Sequence, residues 1–150
     1  MTHAAPSVPA HNPPVPPRAG GGSHRRLEQA LQQSVVEHLQ WRARPNVWWT
    51  HIPLGGARFK TEAAIFKGLG ARHGTPDLLL VADGKAHFLE FKAPGGRVTA
   101  AQSECHAALR AAGAEVAIVV GLDAALQQLE QWQLLRGRCA LTTIRRSGHE

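Results

Sequence analysis

The pattern of apolar and polar positions along the chain predicts four helices that alternate with four strands. Apolar residues recur at helical spacing after Ser23, a candidate N-cap, at Leu27, Leu31, Val35 and Leu39. Shorter apolar runs predict strands at residues 47–52, 78–82, 86–89 and 116–120. Further helices are predicted at residues 61–69, 99–112 and 122–132. The order α-β-α-β-β-α-β-α indicates an α/β fold with a mixed sheet flanked by helices, because a helical crossover makes the last strand parallel to its neighbour.

Asp83 and Gly84 separate two of these apolar runs and predict a tight β-hairpin. Both central residues of a type I′ turn need positive φ, and an Asp-Gly pair suits them. The register set by this turn puts Asp77 opposite Glu90, with Cβ atoms roughly 5 Å apart on one face. Lys92 lies on the same face as Glu90, because side chains alternate along a strand. The sequence therefore predicts a cluster of one aspartate, one glutamate and one lysine.

This predicted cluster needs a partner for its negative charge. Two ionised carboxylates at that separation repel by roughly 3 kcal/mol at an effective dielectric constant of about 20. The flanking residues are apolar on both faces, as in interior strands. Lys92 offsets one charge, and oxygen donors without cysteine or histidine at zinc spacing suit Mg²⁺ or Mn²⁺ for the rest. The alternative is a plain salt bridge at the end of a sheet, which leaves the facing carboxylates unexplained.

Composition divides the chain into three parts. Prolines and glycines dominate residues 1–22, which predicts a disordered or extended leader before one domain at residues 23–135 and a basic tail at residues 136–150. No stretch has the length and apolar character of a signal peptide or a membrane span, so a soluble, cytoplasmic protein is expected. Cys105 and Cys139 do not indicate a disulfide framework, and we interpret both as free thiols.

The formal charge of +6 and the pI near 10.4 favour a polyanionic partner. Basic and aromatic side chains are interleaved in one stretch, at Trp41, Arg42, Arg44, Trp48, Trp49, Arg58, Phe59, Lys60, Phe66, Lys67 and Arg72. Such interleaving suits phosphate contacts and base stacking on DNA. Adjacent strand residues face opposite ways, so Trp48 and Trp49 cannot both enter the core. A helix packed over the second ring explains it as well as DNA does.

Three motifs resemble the VRR-NUC branch of the PD-(D/E)XK nuclease superfamily. They are Gly70 with Gly74-Thr-Pro-Asp77, then Glu90-Phe-Lys92-Ala-Pro94-Gly-Gly-Arg97, then Thr99-X-X-Gln102. Their order and spacing match the branch over roughly residues 26–129. The resemblance implies a restriction-endonuclease-like α/β core and metal-dependent hydrolysis of phosphodiester bonds.

Roles for single residues follow from the resemblance and from the chemistry of such a site. Asp77, Glu90 and the Phe91 carbonyl would hold the Mg²⁺ or Mn²⁺ ion, and Glu28 in the first helix would complete its shell. Lys92 would orient or help deprotonate the attacking water and offset charge in the transition state. The alternative for Glu28 is a solvated acid that the helix dipole favours near a helix start.

Several further residues have two physical interpretations. Glu37 is the fallback acid on the first helix. The resemblance implies that Gln102 lies near the site with a catalytic role, yet Thr99 and Gln102 also form the sequence of a capping box. His51 and His73 fit a structural or surface role better than a metal site, because they lack metal-ligand spacing.

The predicted partner is DNA. Arg58, Lys60 and Arg97 are candidate contacts to its backbone, Arg97 because it follows a Pro-Gly-Gly turn whose amides can approach a phosphate. The small, free-standing members of the family imply a homodimeric, structure-selective endonuclease that resolves four-way DNA junctions. The alternatives are a non-selective or flap nuclease, and a DNA-binding module without catalytic activity.

Overall fold

The computed structural model describes residues 21–54 and 60–137, and its eight elements follow the predicted order. The helices are α1 (Gly21–Arg42), α2 (Lys60–Gly68), α3 (Ala100–Ala111) and α4 (Leu122–Gln131). The strands are β1 (Trp48–His51), β2 (Leu78–Ala82), β3 (Lys85–Lys92) and β4 (Glu115–Val120). The predicted cap at Ser23 is wrong, because α1 already includes Gly21 and Ser23 lies inside its first turn.

The four strands form one mixed sheet in the order β1-β2-β3-β4. β1, β2 and β3 pair in antiparallel fashion, whereas β4 is parallel to β3, as expected for a crossover through α3. The fold class predicted from the sequence, an α/β fold with a mixed sheet flanked by helices, is confirmed.

The β2–β3 hairpin has the predicted turn and register. Asp83 and Gly84 both have positive φ, at 51° and 75°. The ladder runs from this turn to Leu78, which pairs with Leu89. In this register Asp77, the residue before β2, lies beside the second half of β3, which contains Glu90.

One face of the sheet carries the hydrophobic core. Alternate residues of β2 and β3 contribute to it, α1 packs against β3, and α4 packs against β4 and α1. Its fully buried side chains include Leu39, Leu78, Leu80, Leu89, Phe91 and Leu129. Trp49 packs against this cluster, whereas Trp48 is 58% exposed. Of the two adjacent tryptophans, only Trp49 therefore contributes to the core, as strand alternation requires.

The other face of the sheet carries polar side chains of β3 and packs in part against α3. His106 of α3 is buried, and Arg110, one turn later, donates to the Val116 carbonyl at 2.8 Å. Glu90 and Lys92 lie on this face, because the residues next to them in β3 enter the core. The candidate site therefore lies between the sheet and α3.

Two smaller expectations concern membranes and thiols. Within the described residues, no helix combines the length and the apolar character needed to cross a bilayer. Cys105 is a free thiol, as predicted. Cys139 lies outside the described residues.

Candidate active site

Asp77 lies where β2 begins and is held by backbone groups on both sides. Its Oδ2 atom accepts a hydrogen bond from the Phe91 amide at 2.9 Å, and its carbonyl accepts one from the Ile52 amide at 2.8 Å. Burial raises the pKa of Asp77 and the charge of Glu28 adds to this, against the opposing effects of the Phe91 N–H and Lys92. The carboxylate is therefore fixed in an environment that disfavours its negative charge.

The Phe91 carbonyl faces the same edge of β3 as the Phe91 amide, because both groups of one strand residue point to the same neighbouring strand. The β2–β3 ladder ends at the Leu78–Leu89 pair, so Phe91 lies beyond its last pair. The predicted role of the Phe91 carbonyl as a metal ligand is compatible with this geometry and stays a prediction.

Glu90 is a buried acid with 2% of its surface exposed. Its Oε1 atom accepts from Lys92 Nζ at 2.8 Å and from Gln102 Nε2. Its Oε2 atom is buried and has no hydrogen-bond partner among the described residues. Burial raises the pKa of Glu90 to about 7, and the charges of Asp77 and Glu28 add to the shift while Lys92 opposes it.

Gln102 both caps α3 and contacts Glu90. Its Oε1 atom accepts from the Thr99 amide at 2.9 Å, and the Thr99 hydroxyl accepts from the Gln102 amide at 3.2 Å. These two hydrogen bonds form the predicted capping box. The Nε2 atom of the same side chain donates to Glu90. The two interpretations of Gln102 are therefore compatible, because one side-chain amide supplies an acceptor to the helix and a donor to the acid.

Of the two acids considered on α1, Glu28 faces the site and Glu37 does not. Glu28 Oε1 accepts from the Ala93 amide at 3.1 Å, and Glu28 lines one cleft together with Asp77 and Glu90. Glu37 is exposed and lies outside the lining of that cleft. Glu28 is therefore the α1 acid that the fold brings to the site, and the fallback to Glu37 is not needed.

The donor atoms of this site fit a hard divalent cation. A cation would satisfy two carboxylates with raised pKa values, one of which has an unpartnered buried oxygen. Within residues 21–54 and 60–137, no three His, Cys, Asp or Glu side chains are already grouped as a metal cluster. Glu28 Oε1 accepts from the Ala93 amide instead, so the candidate ligands with raised pKa values are Asp77 and Glu90, and the Phe91 carbonyl stays a predicted ligand.

Two clefts of about 450 and 430 Å³ meet at the carboxylates, and both are lined by Asp77, Glu90 and Gln102. The larger cleft runs along α2 and the loop after it, with Phe66, Lys67, Arg72 and His73 in its lining. The smaller cleft runs along α1, with His24, Arg25, Gln32 and His51 in its lining. Basic or imidazole side chains therefore flank the acids on both sides.

The two histidines interpreted as structural or surface residues both line these clefts. His51 Nδ1 lies 2.7 Å from Gln32 Nε2 and 2.9 Å from the Asp77 carbonyl oxygen. His73 lines the cleft along α2. Sequence spacing indicated neither position, because one histidine reaches the site from β1 and the other from the loop before β2.

His106 is a residue near the site that the sequence analysis did not select. Its ring is 1% exposed. Its Nε2 atom lies 3.8 Å from Glu90 Oε2 and has no hydrogen-bond partner in the described part of the chain. A signal for it was present in the sequence, since His106 follows Gln102 by four residues and so shares its helix face.

The structure bears on only one of the three predicted DNA contacts. Arg58 and the side chain of Lys60 lie outside the part of the chain that is described. Arg97 is exposed and lines neither of the two clefts. The assignment of these three residues to DNA binding stays a prediction.

Two comparisons with known proteins find similar domains. The model of the VRR-NUC domain matches residues 26–122 of the chain. A solved structure described as a VRR_NUC domain protein has a TM-score of 0.59 and 23% sequence identity, covering 72% of this chain and 89% of that chain. At this identity the structural likeness supports the fold alone. No curated protein matches the sequence.

Proposed function

This chain belongs to the VRR-NUC family, whose domain is a nuclease domain, and on that premise we propose that it is a divalent-metal-dependent DNA endonuclease. The observation that carries the proposal is the position of Asp77 and Glu90 where two clefts with basic linings meet, with Lys92 bound to Glu90. A divalent cation would stabilise the charged form of the two buried acids, and flanking basic side chains suit a polyanion. Both features suit hydrolysis of a phosphodiester bond in DNA.

Asp77, Glu90 and the Phe91 carbonyl are the groups that would hold Mg²⁺ or Mn²⁺, with Glu28 as a further ligand. When bound, such an ion polarises the scissile phosphate and lowers the pKa of a water molecule. The chain itself orients the two carboxylates, since the Phe91 amide holds Asp77 and Gln102 holds Glu90. Exclusion of bulk water around Glu90 strengthens the electrostatic effects in the site.

Lys92 is the candidate for orienting the attacking water. Its side chain is 10% exposed, and its Nζ atom lies 2.8 Å from Glu90 Oε1. An ammonium group in this position donates hydrogen bonds to water or phosphate oxygens and offsets the negative charge that builds up in the transition state. Its replacement by an uncharged side chain of similar length removes this charge and keeps most of the packing.

The proposed substrate is branched DNA, with the four-way junction as the first candidate and a homodimer as the acting species. Two active sites related by a two-fold axis would cut the two strands symmetrically. The complete set of Glu28, Asp77, Glu90 and Lys92 argues against a module that binds DNA without cutting it. Non-selective cleavage and flap cleavage are outcomes that the experiment distinguishes.

Cleavage of labelled four-way-junction, flap and linear duplex DNA tests the proposal, with Mg²⁺, with Mn²⁺ and with chelator. Asp77→Asn and Lys92→Met are compared with Glu37→Gln, a matched control on α1 that lies outside the clefts. We expect metal-dependent cleavage by the wild type and the control. Each site variant should lose about 100-fold or more in rate.

The selectivity, the enzymatic activity and the dimeric state can each be contradicted by a separate result. Equal cleavage of the three DNAs would keep the nuclease and overturn its selectivity. Binding of DNA without metal-dependent cleavage of any of them would overturn the enzymatic proposal. A strictly monomeric particle in light scattering, alone and with junction DNA, would overturn symmetric cutting by a dimer.

A further inference from the structure

Glu90 Oε2 and His106 Nε2 face each other as two buried polar atoms without hydrogen-bond partners in the described residues. His106 Nε2 lies 3.8 Å from Glu90 Oε2, and neither atom has a hydrogen-bond partner within the described residues. Only 2% of Glu90 and 1% of His106 are exposed. Buried polar side chains are nearly always hydrogen-bonded. A shift of about one ångström or less would therefore bring these two atoms to hydrogen-bond distance.

The register of α3 explains why these atoms meet. Gln102, His106 and Arg110 follow one another at intervals of four residues and so share one helix face. Gln102 donates to Glu90 Oε1, and Arg110 donates to the Val116 carbonyl at 2.8 Å. α3 thus presents a row of polar side chains to β3 and β4. His106 is the middle member of this row and lies opposite the second oxygen of Glu90.

We propose that His106 is a positioning residue that donates a hydrogen bond from Nε2 to Glu90 Oε2 and so fixes the carboxylate for the divalent cation. The inference rests on the proposed function, because it assigns His106 a role toward the same ion. Gln102 then orients one oxygen of the carboxylate and His106 orients the other.

Two substitutions separate hydrogen bonding from packing at this position. His106→Gln keeps a donor nitrogen near the position of Nε2, whereas His106→Met fills the space without a donor. His87→Met is the matched control. His87 is also buried, at 6% exposure, and belongs to β3, but its ring contacts Trp132 away from the carboxylates.

The first readout is the affinity of the DNA-free protein for Mn²⁺, measured by electron paramagnetic resonance of the free ion. His106→Met should weaken Mn²⁺ binding by about 10–100-fold, as the loss of a hydrogen bond to a metal ligand does elsewhere. It should lower kcat on junction DNA at fixed metal concentration and leave KM for the DNA unchanged. His106→Gln should recover most of the affinity, and His87→Met should bind Mn²⁺ like the wild type.

Two results would overturn the proposal. One is a folded His106→Met variant with wild-type Mn²⁺ affinity, because the hydrogen bond would then have no effect on the ion. The other is a His106→Gln variant that binds Mn²⁺ no better than His106→Met, because a donor nitrogen would then not be the property that matters. Circular dichroism and thermal unfolding of each variant establish that it is folded.

A metal-free measurement separates this inference from the proposed nuclease activity. The Nε2–H proton of His106 is followed by nitrogen-15 NMR in chelator at about pH 8, where neutral imidazole is the expected form. A protected proton in the wild type that is lost in Glu90→Ala supports the contact even if the protein cuts no DNA. An Nε2 signal that Glu90→Ala leaves unchanged overturns the contact even if the protein is an active nuclease.

Discussion

At the scale of single residues, burial and charge meet at Glu90. Burial is the main cause that raises its pKa from an ordinary 4.5 to about 7, and the pKa of Asp77 is shifted in the same direction. Lys92 and Gln102 both contact Oε1 of the carboxylate. The consequence is an acid that stays partly protonated near neutral pH unless a cation is present.

Glu90→Gln tests this property through the pH dependence of stability in chelator. The folded protein keeps the Glu90 proton at pH values where the unfolded chain has lost it, because the folded pKa of about 7 exceeds the ordinary 4.5. The stability contributed by this group is therefore complete below about pH 4.5 and is lost as the pH rises through about 7. We expect the melting temperature of the wild type to fall over this range relative to Glu90→Gln.

Thermal unfolding of the two proteins in chelator, over a series of pH values, measures the effect. A repeat with Mg²⁺ should raise the melting temperature of the wild type more at high pH than at low pH, since the ion and the proton compete for the same carboxylates. Parallel curves for wild type and variant would contradict the prediction.

Thr99→Ala and Gln102→Leu separate the two contacts made by the capping box. Each substitution breaks the box and should lower the free energy of unfolding by about 1 kcal/mol. Only Gln102→Leu also removes the donor to Glu90, so only this variant should bind Mn²⁺ more weakly. Chemical denaturation and Mn²⁺ titration of both variants measure the two effects. Equal Mn²⁺ affinities would show that the contact with Glu90 does not matter.

Sequence was sufficient for residues whose positions follow from a local rule. Asp83 and Gly84 determine the register of the hairpin, and strand periodicity then brings Asp77 to Glu90. His106 was missed for a different reason. Its helix face can be read from the sequence, but whether that face meets the acid depends on how α3 docks on the sheet.

At the scale of elements, the loop before β2 and the first turn of α3 touch at Gly74. Gly74 has a φ of 78°, and a Cβ atom there would lie 2.3 Å from the Ala101 carbonyl oxygen. This loop delivers Asp77, and the first turn of α3 carries Gln102. Glycine at this position therefore allows the two elements that build the site to approach each other.

Gly74→Ala should push these elements apart, and Gly113→Ala is its matched control. Gly113 also has positive φ, at 92°, but a Cβ atom there would meet nothing within 4 Å. The control should lose roughly 1–2 kcal/mol from backbone strain, and Gly74→Ala should lose about 1–3 kcal/mol more from the clash. Urea unfolding of both variants measures the difference. Equal losses would mean that the close approach is relieved without strain.

The order and pairing of the elements followed from the sequence, because the rules for hairpins and crossovers are strong. The start of α1 did not follow from the sequence. Ser23 has a side chain typical of an N-cap, although the helix already includes Gly21. No local sequence pattern indicates that α2 lies beside a cleft. Its position depends on the fold as a whole, and Ile65 and Leu69 in and after this helix are 61% and 78% exposed.

At the scale of the whole molecule, a chain with a net charge of +6 places basic side chains in both clefts beside the acids. Lys67 and Arg72 line the cleft on one side of the carboxylates, and Arg25 lines the cleft on the other side. A polyanion that follows both clefts would bring a backbone phosphate to Asp77 and Glu90 while its neighbouring phosphates meet positive charge.

Lys67→Ala and Arg97→Ala test whether DNA runs along the clefts or over the Pro-Gly-Gly turn. Loss of one phosphate contact reduces the slope of log affinity against log salt concentration by about 1. We expect that change for Lys67, which lines a cleft, and a smaller one for Arg97, which lines neither. Fluorescence anisotropy over a salt series measures the slopes, with Asp77→Asn in every protein so that the DNA stays intact. The reverse order would indicate a path over the turn.

The side chain of Gln102 couples the stability of the N-terminus of α3 to the binding of an ion or phosphate in the cleft. Its Oε1 atom accepts from the Thr99 amide and its Nε2 atom donates to Glu90. An ion or phosphate that binds at Glu90 therefore also changes the strength of the hydrogen bond to the Thr99 amide. The coupling is reciprocal, as any linkage between two equilibria must be. The exchange rate of the Thr99 amide hydrogen with deuterium therefore reports occupancy of the site without labelled DNA and without turnover.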